Sequence, residues 1–119
     1  MQNTNGKKYD LEERTAKFGE DVIDFLKILK KDEINKPIVN QIIRSCTSIG
    51  ANYMEADGAE SGKDFKHKIA LCKKEAKESM YWTRMLARNN PEMKEKCRIL
   101  WQEAHELTLI FSSILLKKK

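Results

Sequence analysis

The chain is short of the residues that punctuate a fold. It has five glycines and two prolines among 119 residues, and no stretch alternates apolar and polar side chains long enough to argue a β-strand. A turn-rich sandwich or barrel is excluded, and the class is all-α. Three cysteines, Cys46, Cys72 and Cys97, cannot all pair within one chain, and none has the close spacing of a metal-binding pair. Each sits on an apolar seam and reads as a buried, reduced thiol acting as a small hydrophobe.

Long apolar runs are missing too. Leu107 to Leu116, ten residues, is the longest, and Thr108, Ser112 and Ser113 interrupt it; a bilayer span needs about 20. No apolar segment follows Lys7-Lys8 to make a secretory signal. The expectation is a cytoplasmic protein with no membrane partner.

What is present is charge and periodicity. Charged residues make up 34% and hydrophobic ones 40%, which fits a globular chain with solvated helix faces. Residues 1–9 are polar and aperiodic and are expected to form a flexible tail; 10–119 are expected to form one domain. Asp10 with Glu13 makes an N-terminal cap signature. Leu11, Thr15, Phe18, Val22, Phe25 and Leu29 then form one seam, with the helix expected to end near Lys30 or Lys31. Pro37 suits the first turn of a second helix running to about Ala56. Ser61 and Asp64 cap a third, whose seam is Phe65, Ile69, Cys72, Ala76, Ser79, Thr83 and Leu86. Asn90 is expected to cap the fourth, with Pro91 at its first position. Its seam is Met93, Cys97, Leu100, Ala104, Leu107, Phe111 and Ile114. Short connections make sequential helices antiparallel neighbours, so the predicted fold is an up-down-up-down four-helix bundle.

The second helix is the anomaly. Between Pro37 and Ala56 only Arg44 and Glu55 are charged. Val39, Ile42, Cys46, Ile49, Tyr53 and Ala56 form its inner seam. Opposite lie Asn40, Thr47, Ser48, Ala51 and Met54, small or uncharged where Lys and Glu are usual. This pattern predicts a helix covered twice, once by its own domain and once by another subunit, against the plainer reading of a polar, uncharged solvated face. A stripe of Gln41, Ser45, Ser48, Asn52 and Glu55 would need hydrogen-bond partners if buried.

Charge concentrates in the third helix. Residues 61–90 carry eight cations and three anions, whereas 1–30 balance at six and six. With Phe65 and Ile69 inward, His67, Lys74, Tyr81 and Arg88 fall seven apart along the outermost line, with Lys63, Lys77 and Arg84 beside it. Lys73 adds to the stripe. Such a face can neutralise phosphates, and Tyr81 can stack on an unpaired base, which points to nucleic acid; a plain solubilising face is the competing reading. Tyr81 and Trp82 also suit a subunit contact.

Catalytic chemistry finds little footing. A two-metal bundle site calls for paired Glu-x-x-His motifs, and the chain has two histidines, of which His67 points outward and His105 has the wrong spacing. Phosphate-binding glycine loops are absent, and no Ser or Cys has a convincing His base. No metal, cofactor or catalytic residue is expected.

Three segments, Tyr9-Asp10-Leu11-Glu12-Glu13-Arg14-Thr15 leading to Phe18, Arg44 through Ala56, and Ser61-Gly62-Lys63-Asp64-Phe65, carry a family resemblance. The core of it is Ser45-x-x-Ser48-Ile49-Gly50-x-Asn52-x-x-Glu55-Ala56. Over about Tyr9 to Leu86 the chain resembles the small bacterial four-helix-bundle family that includes the 23S rRNA intervening-sequence proteins and the accessory variability determinant of diversity-generating retroelements. The resemblance implies a non-enzymatic bundle that assembles as a ring, a pentamer, and binds nucleic acid through basic surfaces. In the retroelement members it also implies a reverse transcriptase as partner. It carries over to Ser45, Ser48, Asn52 and Glu55 as structural or interface residues and identifies no base-reading residue.

Two functions of different class follow. One is a homo-oligomeric nucleic-acid-binding accessory protein contacting phosphates through Lys63, Lys73, Lys74, Lys77, Arg84 and Arg88, with Tyr81 among them. The other is a protein-interaction module that docks a partner enzyme such as a reverse transcriptase without touching nucleic acid. In both, Thr47, Ser48, Ala51, Met54, Glu55, Tyr81 and Trp82 are the expected subunit contacts.

Overall fold

Caps written into the sequence start two of the helices of the protein, whose computed structural model describes residues 10–117. The Asp10 carboxylate accepts the Glu13 N–H at 3.1 Å and opens α1, Leu11–Lys27. The Ser61 hydroxyl accepts the Asp64 N–H at 3.0 Å and opens α3, Gly62–Asn89. Between them runs α2, Asn35–Asp57, and a 3₁₀ turn at Pro91–Met93 leads into α4, Lys94–Leu116. At about 1.5 Å per residue, the 28 residues of α3 span about 42 Å, close to the 46 Å long axis of the molecule. α2 and α4 are laid against this one rod, and α1 is carried mainly by α2.

The seams form a common core. Phe18, Val22, Ile42, Cys46, Ile49, Ile69, Cys72, Ala76, Leu86, Ala104, Leu107 and Phe111 are all buried in one cluster. Removing a buried aliphatic side chain from such a cluster costs about 2–5 kcal/mol. The four-helix up-and-down bundle is therefore observed as predicted, with α3 packed along both α2 and α4, α1 mainly on α2, and little contact between α1 and α4. An ionic clamp bridges that loose seam: the Arg14 guanidinium donates to Glu103 at 2.7 and 2.9 Å and to Glu106 at 2.9 Å. α1 comes close to α2 because both are small there: a methyl group on Gly50 would meet the Thr15 hydroxyl at 3.3 Å.

Three expectations are corrected at the helix ends. The first helix stops at Lys27 rather than near Lys30 or Lys31; the chain turns at Ile28, and Leu29 is still buried in the core beyond the helix. The second starts at Asn35, ahead of Pro37, because the Asp32 carboxylate accepts the N–H groups of Ile34 at 3.1 Å and Asn35 at 2.7 Å. Asn90 does not cap the fourth helix. Its buried amide donates to Leu86 C=O at 2.8 Å and to Asn35 at 2.8 Å, and accepts from Asn35 at 3.0 Å. That amide pair ties the two connections at one end of the bundle, and α4 begins only after the 3₁₀ turn. The tail expected over Met1 to Tyr9 lies outside the described residues, as do Lys118 and Lys119.

Candidate nucleic-acid interface

Helical periodicity gives α3 three aspects: a seam in the core, a flank toward α2 and a flank toward α4 that merges with the outer face. Its ionic side chains are sorted between the flanks. Toward α2, the Arg44 guanidinium donates to the Glu75 carboxylate at 3.1 Å and also to Glu78. Glu78 accepts in addition from the Trp82 indole N–H at 3.0 Å. These two donors, the indole first, hold the Glu78 carboxyl below its ordinary value of 4.5. Lys68 reaches Glu55 of α2 at 2.7 Å. Both acids of the helix body are thus engaged, and Asp64, the remaining one, sits in the first turn.

The other flank is different. Lys63, Lys66, Lys74, Lys77, Arg84 and Arg88 are exposed and Lys73 is half-buried. Among the described residues these seven cations form no ion pair. The structure brings together every cation that the sequence reading singled out. Tyr81, 53% exposed, lies among them and meets the Trp82 ring edge-on at 4.9 Å and 76°. Trp82 itself is half-buried and turned to the α2 flank, where its N–H is committed to Glu78.

The motif residues of α2 are largely satisfied within the chain. The Ser45 hydroxyl is buried 2.9 Å from that of Ser79 on α3. Ser48 donates to Arg44 C=O at 2.7 Å, and Asn52 donates to Ser48 C=O at 2.9 Å. Thr47, Ala51, Met54 and Glu55 are exposed in the single chain, and Ser48 is half-buried. Thr47, Ala51 and Met54 line one wall of a shallow groove whose other wall is Ala16, Gly19 and Ile23 of α1, with Glu12, Glu13 and Glu20 on its rim.

The three thiols are free and buried. Burial pushes them up to about 12 for Cys46 and Cys72 and about 11 for Cys97, so they are protonated and inert at neutral pH. Among the described residues no group of His, Cys, Asp and Glu gathers in a way that could hold a metal, and no described helix is long and apolar enough to cross a membrane.

One feature beside the cations escaped the sequence reading. Trp101 and His105 of α4 stack with ring centroids 5.1 Å apart and planes 23° from parallel. Their four-residue spacing next to the α4 seam is the signal that could have found them.

Comparison with known proteins agrees with this architecture. A family model described as 23S rRNA-intervening sequence protein matches residues 7–113. A crystal structure of a protein of unknown function from the S23 ribosomal protein family of Bacteroides thetaiotaomicron VPI-5482 is 31% identical in sequence, with a TM-score of 0.77 over 90% of this chain and 98% of that one. No curated protein matches the sequence.

Proposed function

Because the chain belongs to the 23S rRNA-intervening sequence protein family, we propose that it is a non-enzymatic accessory protein that binds nucleic acid through the outer and α4-facing surface of α3. The observation that carries this reading is the sorting of charge on α3. Its acids face Arg44 or sit in the first turn, while seven cations and Tyr81 share one continuous aspect without ion-pair partners among the described residues. Unpaired cations on one face keep their potential available to phosphates, and releasing counterions on contact supplies affinity without sequence preference.

Copies of the chain assemble into a ring, a pentamer as the family resemblance implies, through the groove of α1 and α2, whose uncharged α2 wall exposes Thr47, Ala51 and Met54. A ring multiplies the basic faces into one field and makes a modest single-site affinity useful.

Replacing Lys74, Lys77 and Arg84 together by Glu tests the binding. The triple variant is expected to lose on the order of 100-fold in affinity for nucleic acid at physiological salt, and its salt slope to flatten by about 2. Unchanged affinity in titrations at two salt concentrations removes the reading. Ala51→Glu, which loads the groove and spares the core, is expected to reduce the mass measured by light scattering while helical circular dichroism is kept. A wild-type mass of one chain at micromolar concentration rules out the ring.

A further inference from the structure

The stacked Trp101–His105 pair sharpens the nucleic-acid reading and rests on it. Trp101, His105 and Thr108 follow one line of α4 at helical spacing, and the Thr108 hydroxyl approaches the Met80 sulfur of α3 at 3.7 Å. Since α3 and α4 run antiparallel, stepping back from Thr108 to Trp101 corresponds to stepping forward from Met80 to Arg84 and Ala87. The stack therefore borders the unpaired flank of α3. The opposite side of α4 is closed by Arg14, which holds Glu103 and Glu106.

Both rings are half-buried. Packing holds their inner parts, so a partner that stacks on the outer parts immobilises little that was free. Cations beside a fixed aromatic platform match a strand whose phosphates run along one wall and whose base turns onto the ring. A duplex cannot use the platform, because its bases already stack on one another and show only their edges in the grooves. Tyr81 is the less suitable platform: it is more exposed and already meets Trp82 edge-on. We propose that the exposed seam between α3 and α4 binds single-stranded nucleic acid, with an unpaired base stacked on the Trp101–His105 pair, the nearest phosphate against Arg84 and one further along the strand against Lys77.

Trp82 and Trp101 are the two tryptophans of the chain, so Trp82→Phe leaves Trp101 as the sole indole reporter. That variant is titrated with short oligouridine, short oligothymidine and a blunt RNA duplex. Indole quenching by a single strand, with far less from duplex at matched phosphate concentration, is the expected result. The two single strands separate an RNA source from a DNA source of the same chemistry. In the wild-type background, Trp101→Ala is expected to weaken single-strand binding roughly 5- to 100-fold with an unchanged salt slope, and Trp101→Phe to restore most of it. If single strands bind and respond to Lys77 and Arg84 but neither quench Trp101 nor respond to its replacement, the stacking site is overturned while the basic face stands. Preferential duplex binding overturns it equally. Failure of every nucleic acid to bind removes both readings. The quenching experiment keeps Trp101 intact, so it decides the matter even if the alanine variant folds poorly.

Discussion

The two flanks of α3 both carry charge and use it in opposite ways. On the α2 side, Glu75, Glu78 and Lys68 each reach a partner on the neighbouring helix. On the other side, Lys73, Lys77 and Arg84 have no ion-pair partner among the described residues. A charge that is paired holds helices in register and cancels its own field. One that is unpaired contributes little to the fold and leaves its potential for something else. The contrast separates a structural use of charge from a binding one within a single helix.

The strongest way to break the comparison is to strip the paired flank. Arg44→Ala leaves Glu75, 8% exposed, without its cation. Arg44 itself is half open to solvent, which screens the pair, so the cost comes mainly from the nearly buried carboxylate and is expected to be about 1–2 kcal/mol in chemical denaturation. Nucleic-acid affinity is expected to be unchanged; a loss of binding as large as that of the triple Glu variant would mean that the two flanks do not act separately.

Trp82→Phe sharpens it further by removing one donor to Glu78 and is expected to cost about 1 kcal/mol at neutral pH. The sign of its pH dependence follows from a carboxyl held low in the folded state. Its stabilisation is complete above the ordinary value of 4.5 and is lost as pH falls through the lowered folded value. The gap between wild type and Trp82→Phe should therefore close in acid. A gap that stays constant in urea melts on both sides of that value would deny the indole its role on Glu78.

Smallest of all should be the paired cation itself. Lys68→Ala is expected to leave affinity unaltered and thermal melting nearly so, whereas Lys77→Ala, a single exposed cation on the other flank, should lower affinity about fourfold near 0.15 M salt. Equal losses from the two would erase the distinction.

Much of this architecture could be read along the chain, for local reasons. The caps at Asp10 and Ser61 act on N–H groups three residues away, and each seam repeats within its own helix, so both are visible in a short window. The second helix starts ahead of Pro37 because Asp32 accepts the Asn35 N–H three residues on, a local signal that the proline masks. Asn90 was misassigned for a different reason. Its partner Asn35 lies 55 positions away, and a cap signature is indistinguishable from a cross-bundle amide pair until the two ends meet. Six of the seven cations were legible as a stripe, since periodicity alone places them; Lys66, one turn after Lys63 on the α4-facing flank, was added by the structure. Trp101 and His105 were not linked to that stripe, because nothing short of the α3–α4 packing says which flank of one helix adjoins which flank of the next.

The sequence by itself determined four amphipathic helices, their antiparallel order and the excess of positive charge in the third, because helical periodicity and short connections leave few alternatives. Only the tertiary structure decided which charges remain available. Arg44 and its acids are separated by 31 and 34 positions, and Coulomb attraction at ionic contact depends on distance in space, which packing sets.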